Sequence, residues 1–315
     1  MNIFNKLKEK YKFLNTRADK HEVDALYSIL YKLVHDLDNS IDLSTKQTED
    51  TFSFQWEKLS QGEYMLTDPW FKGEVERIIC EEEILVNKSW FKGKRVLDAG
   101  CGGGRWSYGL AKMGAEITAV DINTSALELT KEALSEFGDH HRFYQTSLEE
   151  LDSKIKNEKF DLVWSWGVVH HCRSFNKAFV QVCDKVKEGG LIYFYLYGRE
   201  SLDMNTDLNL FKNRMIYNSL NSWEEKYEFL LNKGNGDETK IHQMHDIFAP
   251  LLNRRLEFDF VKKRLEEFGF TNVVRTNNST ELHIRAIKGN PVDEVDNYFL
   301  KPFQGKDPWI SHHEK

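Results

Sequence analysis

The chain lacks the usual features of membrane, secreted and zinc-binding proteins. Its 315 residues include four cysteines, and no two of these have the spacing of a zinc-finger pair. A disulfide framework is not expected in so long a chain, so the cysteines indicate a reducing compartment. No apolar stretch approaches the roughly 20 residues that span a bilayer, and the N-terminus lacks the apolar core of a signal peptide. The sequence therefore predicts a cytoplasmic protein without a transmembrane segment.

An excess of positive charge is also lacking. The formal net charge is −7, which argues against a protein whose main task is to grip a phosphate backbone. Hydrophobic residues make up 40% of the chain and charged residues 30%, so there is ample material for a core. We therefore expect a globular protein for which a nucleic acid is a disfavoured partner.

The N-terminal part of the chain is predicted to be helical. Apolar residues recur at helical spacing within residues 3–14 and again within residues 23–37. Lysines interrupt the first stripe, so this helix could lie on an anionic membrane surface, although packing on its own protein or on a second subunit is favoured. The polar residues 38–50 indicate a linker. We assign residues 1–92 to a helical extension or cap, whose helices are candidates for a homodimer contact.

Strands alternate with helices from Lys94 onward. Apolar runs predict strands at residues 95–97, 116–120, 141–145, 160–165 and 191–196. Helices are predicted at residues 105–113, at 125–137 with Thr124 as its cap, and at 176–187, where Gly189 and Gly190 act as a stop signal. This alternation predicts an α/β fold with a mostly parallel sheet and helices on both faces.

The alternation breaks after the fifth strand. Residues 197–256 are polar and partly helical, for example at 223–231, with a loop signal at 233–237. An amphipathic helix at residues 258–268 and strands at 272–276 and 281–287 follow. We expect one domain over residues 93–288 that contains an insertion at 197–256, and a C-terminal tail over residues 289–315.

A glycine-rich turn follows the first of these strands. It carries Asp98, Gly100, Gly102 and Gly104, and a helix begins directly after it. Glycine lets the backbone approach a ligand closely, and a helix start offers unpaired N–H groups to an anionic group. A dinucleotide fingerprint would need glycine at Arg105, and a phosphate-binding P-loop would need a Gly-Lys-Ser/Thr ending. Neither is present.

The spacing Asp-x-Gly-x-Gly-x-Gly resembles the signature of class I S-adenosylmethionine-dependent methyltransferases, and the resemblance covers roughly residues 95–287. It implies a Rossmann-like seven-stranded sheet, here with an N-terminal helical extension and a helical insertion after strand 5. It also implies that Asp98 orients the methionine end of S-adenosyl-L-methionine and that the turn glycines allow close approach. Asp121, at the end of the second strand, would hold the ribose.

The resemblance assigns further residues to the cofactor. Ile122 would pack on the adenine, and Ser147 stands where the family commonly has an Asp that bonds the adenine amine. A serine hydroxyl can accept that bond without charge assistance. Neighbouring Cys101 and Leu148, and Trp166 at the end of the fourth strand, complete the predicted cofactor site.

Three histidines are the candidate catalytic residues. A hydroxyl acceptor must lose its proton during methyl transfer, and neutral imidazole suits that task. His170 and His171 follow the fourth strand, and His245 lies with His242 and Asp246 at the end of the insertion. Structural roles for these histidines are the alternative, and because the spacing fits no standard zinc site no metal is predicted.

A second segment points to the acceptor. Residues 52–56, with the sequence Phe-Ser-Phe-Gln-Trp, resemble a segment of some bacterial methyltransferases of sugar and cell-surface glycan pathways. We expect them, together with the insertion, to cover the methyl end of the cofactor. Packing in the core is an equally good interpretation.

Three functions from different classes remain open. The first is O- or N-methylation of a small-molecule or sugar acceptor. The second is RNA modification (of tRNA or rRNA), although the motif of amino-group base methylation is replaced here by Ser165, Trp166, Gly167 and Val168. The third is a non-catalytic cofactor-binding module, which the intact glycines and acids disfavour. Fold alone does not decide among them.

Overall fold

The computed structural model describes residues 42–59, 61–199, 203–289 and 293–301. Seven strands form one sheet: β1 Arg95–Ala99, β2 Glu116–Asp121, β3 Arg142–Gln145, β4 Phe160–Trp166, β5 Val186–Leu196, β6 Phe270–Arg275 and β7 Leu282–Lys288. Their order is β3-β2-β1-β4-β5-β7-β6. The first five strands pair in parallel, and β7 is antiparallel to both of its neighbours. The predicted Rossmann-like fold is confirmed.

Helices surround the sheet. They are α1 Asp42–Lys58, α2 Pro69–Arg77, α3 Arg105–Lys112, α4 Thr124–Leu134, α5 Asp152–Ile155, α6 Phe175–Asp184, α7 Met204–Ser219, α8 Trp223–Lys233, α9 Ile241–Phe248, α10 Phe258–Glu267 and α11 Asp293–Asp296. A π-helix at Ile78–Glu83 directly continues α2. Short 3₁₀ helices include Val169–His171, which follows β4. Helices α7, α8 and α9 lie within the predicted insertion after β5.

Two apolar layers bury the sheet. Because alternate residues of a strand point to opposite faces, Trp164 of β4 belongs to one layer and Val163 to the other. The first layer includes α2, the π-helix and α3, and the second includes α6 and α10. Parallel strands covered on both faces are buried along their length, as β4 is from Phe160 to Ser165.

Several predicted boundaries are wrong. Helix α1 begins at Asp42, inside the predicted linker. The cap of α4 is Asn123 and not Thr124, because the Asn123 side chain accepts the Ala126 N–H at 2.9 Å. Gly189 and Gly190 lie within β5, where the Gly190 Cα approaches the neighbouring chain at Phe160 and Asp161 so closely that a Cβ would meet their carbonyl oxygens at 3.0 Å.

The outermost predictions lie outside the described residues. These are the helices at residues 3–14 and 23–37 and the tail beyond residue 301. Among the helices that the structure describes, none is both long and apolar enough to cross a membrane.

Candidate functional site

The glycine turn after β1 lies against the end of β2. The Gly100 N–H donates to the Val120 carbonyl at 2.8 Å, and the Gly102 N–H donates to Asp121 Oδ2 at 3.0 Å. Gly104 has a φ of 80°, and a Cβ there would lie 2.7 Å from the Thr130 Cα. Glycine at position 104 therefore lets the start of α3 pack directly on α4.

Asp121 is fixed by backbone donors. Besides the Gly102 N–H on Oδ2, its Oδ1 accepts the Asn123 N–H at 2.9 Å. Burial raises the pKa of the Asp121 carboxyl, and these backbone donors act in the opposite direction. The carboxylate is thus held in one orientation at the end of β2, beside the glycine turn.

A cavity of about 1120 Å³ opens over the carboxyl ends of the parallel strands. Eight of the residues predicted to bind the cofactor line it: Gly100, Cys101, Gly102, Asp121, Ile122, Ser147, Leu148 and Trp166. Ile122 is 43% exposed, which is unusual for a large apolar side chain and provides an apolar surface in the cavity. The Ser147 hydroxyl already accepts the Glu149 N–H at 3.2 Å.

Two predicted cofactor residues do not line the cavity. Gly104 packs against α4, and Asp98 is buried beneath the turn, where its Oδ2 accepts the Ser107 hydroxyl at 2.6 Å. Burial raises the pKa of Asp98 to about 7, with the Ser107 bond acting in the opposite direction. A direct contact of Asp98 with the contents of the cavity is not part of this geometry.

Helix α1 lies across the cavity at the glycine turn. Phe52, Gln55 and Trp56 line the cavity, and the Trp56 indole packs so closely on Gly102 that a Cβ there would clash with it. The ring of Phe52 meets His171 edge-on, with centroids 5.1 Å apart. The structure therefore places the segment at residues 52–56 beside the turn.

The insertion lines the opposite end of the cavity. Tyr197, Arg214, Asp246 and Arg255 contribute side chains there. The Tyr197 hydroxyl donates to Asp246 Oδ2 at 2.8 Å, and burial raises the pKa of the Asp246 carboxyl. The enclosure that was predicted for residues 197–256 is thus made partly by α7 and α9.

A row of side chains crosses the sheet between these two ends. Trp166 of β4 pairs with Tyr195 of β5, which pairs with His283 of β7. The Trp166 and Tyr195 rings stack with centroids 4.0 Å apart, and Tyr195 meets His283 at 4.8 Å. On the other side of β4, Asp98 of β1 pairs with Trp164, and the glycine turn begins just beyond the end of β1.

One buried carboxylate holds this row in place. Glu83 is the last residue of the π-helix and is 1% exposed. Its carboxylate accepts hydrogen bonds from the Tyr193 hydroxyl and from the Trp166 indole N–H at 3.1 Å, and it lies 2.9 Å from His283 Nδ1. Such π-helical turns occur frequently at functional sites. The sequence analysis missed both Glu83 and His283, because they are 200 residues apart and no local motif links them.

The three histidines predicted as catalytic do not meet across the cavity. His171 lines it, and its Nδ1 lies 2.5 Å from the Leu252 carbonyl. His170 is fully buried against the Tyr197 ring, and His245 packs on Phe54. Neither of these two lines the cavity.

Burial also lowers the basicity of these histidines. It lowers the pKa of His171 and of His245 to about 3, and it lowers the pKa of His170 as well. All three rings are therefore neutral at working pH, and each is a weak proton acceptor. Among the described residues, no group of three or more His, Cys, Asp or Glu side chains is arranged to hold a metal ion.

Comparison with known proteins identifies the central part of the chain. Residues 96–190 match the family model described as "Methyltransferase domain". The ubiquinone biosynthesis O-methyltransferase of Dechloromonas aromatica is 35% identical over 107 residues, which are 34% of this chain and 46% of that protein. The enzyme of the same name from Pasteurella multocida is 30% identical over 115 residues, or 34% and 48%. The matched region spans less than half of these relatives.

Solved structures give lower similarity over longer stretches. Magnesium protoporphyrin IX methyltransferase from Synechocystis with bound S-adenosylhomocysteine has a TM-score of 0.42 and 15% identity, covering 82% of this chain and 100% of that one. An O-methyltransferase family protein from Burkholderia thailandensis has a TM-score of 0.47 and 9% identity, covering 70% and 57%.

Proposed function

We propose that this chain, which carries a class I S-adenosylmethionine-dependent methyltransferase domain, transfers a methyl group to a small-molecule acceptor. The observation that carries the proposal is the cavity that begins at the glycine turn and Asp121 and continues to an end lined by the insertion. Its volume of about 1120 Å³ exceeds the roughly 300–1,000 Å³ of ordinary ligand sites. One continuous space can therefore hold a cofactor and a small acceptor together.

The residues at the first end fit S-adenosylmethionine. Asp121 presents an oriented carboxylate to the ribose hydroxyls, and Ile122 presents apolar surface to the adenine. Ser147 retains its hydroxyl proton and a second lone pair for a polar contact. The cofactor supplies an electrophilic methyl group on a sulfonium, and the chain supplies binding, orientation and the exclusion of water.

The acceptor is proposed to lie over Trp166 and Tyr195. Strands of a sheet are about 4.8 Å apart, so His283 on β7 stands about 10 Å across the sheet from β4. That separation leaves room for a ring or a sugar between the glycine-turn end and His283. The named relatives are O-methyltransferases, which favours a hydroxyl over an amine as the methylated group.

His283 is proposed as the general base for such a hydroxyl. The Tyr193 hydroxyl donates to Glu83, and we place the Nδ1 proton of His283 on its bond to the same carboxylate. In that tautomer Nε2 is the basic nitrogen of His283. A carboxylate on Nδ1 both orients the ring and stabilises the imidazolium that forms. The role predicted for His170, His171 and His245 is thereby reassigned to a residue of β7, and His171 is left as a neighbour of Phe52 at the cofactor end.

The cofactor step is tested by titration calorimetry. S-adenosylmethionine and S-adenosylhomocysteine should bind with micromolar affinity, on the order of −8 kcal/mol, whereas NAD should give no heat. The purified protein is then incubated with small-molecule cell extract and methyl-labelled cofactor, and labelled products are identified by mass spectrometry. Binding of NAD without any response to S-adenosylmethionine would refute the proposal.

The base is tested by His283→Asn, with His245→Asn as the control. Asparagine can still donate to Glu83 from the position of Nδ1 but has no atom in place of Nε2. The rate with a hydroxyl acceptor should fall by about 10²-fold or more, as is typical when a general base is lost. The control should keep its rate per folded molecule, and S-adenosylhomocysteine affinity should be unchanged in both variants. An unchanged rate in His283→Asn would leave the reaction without a histidine base.

A further inference from the structure

Three arginines, of which Arg214 is buried and Arg105 and Arg255 are half-buried, line the cavity where the acceptor is proposed to lie. Arg105 begins α3 directly after the glycine turn, Arg214 lies in α7, and Arg255 precedes α10. Arg105 is more than 100 residues from the other two in sequence, so the cluster is a product of the fold alone. Burying a guanidinium is costly unless its N–H groups find partners, which makes such a cluster informative.

The protein satisfies these guanidinium groups only in part. Arg105 Nη1 donates to the Tyr64 carbonyl at 3.1 Å, and its guanidinium lies 4.4 Å from the centroid of the Trp166 ring. Arg214, which is 9% exposed, donates from Nε to the Ile247 carbonyl at 2.8 Å, and its Nη2 has no hydrogen-bond partner among the described residues. Arg214 thus lines the cavity and holds one buried donor without a partner among the described residues.

Nearby acidic side chains do not form ion pairs with Arg105 or Arg214. Glu281 lies 3.3 Å from Arg255 and pairs with it. Asp246 accepts the Tyr197 hydroxyl and interacts with Arg105 and Arg214 only at longer range. Asp207 faces Arg214 and Arg255 electrostatically but does not line the cavity, and Glu83 is occupied by its own three partners. Among the described residues, neither Arg105 nor Arg214 forms an ion pair.

We propose that the acceptor carries an oxyanion, a carboxylate or a phosphate, which Arg105 and Arg214 bind while the aromatic row supports its apolar part. Arginine suits this task because its planar fork of donors matches two oxygens of such a group. Trp166 and Tyr195 form a stacked aromatic surface beside Arg105, so the site favours an anion attached to a flat ring. This inference rests on the proposed function and names its substrate class.

The test compares anionic ligands with a neutral ligand that carries the same ring. Benzoate and its neutral isostere benzamide are titrated into the protein saturated with S-adenosylhomocysteine, and phenyl phosphate is titrated in parallel. Benzoate or phenyl phosphate should bind at least about 10-fold more tightly than benzamide, the scale of a charge-assisted hydrogen bond. Whichever of benzoate and phenyl phosphate binds more tightly relative to benzamide identifies carboxylate or phosphate as the natural group.

Arg214→Gln and Arg105→Gln should each abolish the preference for the anion. The control is Arg264→Gln on α10, where Arg264 pairs with Glu267 and does not line the cavity. S-adenosylhomocysteine titration of each variant reports folding and the cofactor end independently. Equal binding of benzoate and benzamide, or failure of both anions to bind at millimolar concentration, would overturn the inference while leaving the proposed function intact. If the wild type fails to bind S-adenosylhomocysteine, the proposed function itself is refuted.

Discussion

Asp98 provides a test of how the glycine turn is built, because it is 1% exposed and has no cationic partner at hydrogen-bond distance among the described residues. Its hydrogen bonds among the described residues come from Ser107, whose hydroxyl donates to Asp98 Oδ2 at 2.6 Å. Burial disfavours the carboxylate and raises the pKa of Asp98 to about 7 in the folded chain, against about 3.9 in an unfolded chain. In the folded protein the side chain is therefore mainly protonated below about pH 7.

The magnitude follows from this difference. About three pKa units correspond to about 4 kcal/mol, because each unit is about 1.4 kcal/mol. For a raised carboxyl pKa, stability is fully present below the unfolded value and is lost as pH rises through the folded value. Asp98→Asn keeps an acceptor for Ser107 and cannot ionise. We expect it to be more stable than the wild type by about 1–2 kcal/mol near pH 5 and by about 4 kcal/mol near pH 8.

Urea unfolding followed by circular dichroism at these two pH values measures the difference between the two proteins. Asp161→Asn is the control, because Asp161 accepts the Arg95 N–H and contacts Lys187 at the other end of the sheet. A stability gain that does not grow with pH would refute the assigned cause. A loss of stability at the higher pH would show that Asp98 is held as a carboxylate.

Three further predictions concern Asp121, Gly104 and the ion pair of Asp152 with Lys185. Asp121→Ala should weaken S-adenosylhomocysteine binding by about 10–100-fold in calorimetry, because a charge-assisted bond is worth about 1.5–3 kcal/mol. Gly104→Ala should lower the free energy of unfolding by more than about 1 kcal/mol, whereas Gly73→Ala, with open space around an exposed helical position, should raise it by up to about 1 kcal/mol. Asp152→Asn should destabilise the protein at neutral pH, because it removes the nearer of the two ion-pair partners of the fully buried Lys185, the other being Asp184 at 3.8 Å.

Each of these has a distinct contrary outcome. Unchanged affinity in Asp121→Ala would remove the carboxylate from the cofactor site. Equal effects of alanine at Gly104 and Gly73 would mean that neither the positive φ nor the contact with Thr130 matters. Lys185 lowers the pKa of Asp152, so the cost of Asp152→Asn should be present above the unfolded pKa and vanish as pH falls through the folded one. A cost independent of pH would contradict the ion pair.

Local patterns predicted the central domain well. The apolar runs around Val96, Leu162 and Ile192 are buried strands, and the spacing of Gly100, Gly102 and Gly104 located the turn. These features are local because strand burial and turn conformation are encoded in neighbouring residues. The same holds for helix α10, which ends before Gly269 as predicted.

Predictions that depend on contacts between residues far apart in sequence were less accurate. Nothing near Asn123 in sequence distinguishes it from Thr124 as a cap, since both are good capping residues and the path of the chain decides. His245 follows a polar stretch, yet α9 turns it toward Phe54 and Tyr217 and away from the cavity. Glu83, Arg214 and His283 line one cavity because of the sheet order and the insertion, which no local pattern specifies.

The position of β7 between β5 and β6 has a consequence for biosynthesis. The parallel strands β1–β5 and the turn at Gly100 can pair as soon as Leu196 has emerged from the ribosome. Among the described strands, β6 pairs with β7 alone and must wait for Leu282 before it joins the sheet. His283 is thus added about 87 residues after β5 is complete, counted from Leu196, and a chain that stops before β7 would keep the turn but lack one wall of the cavity.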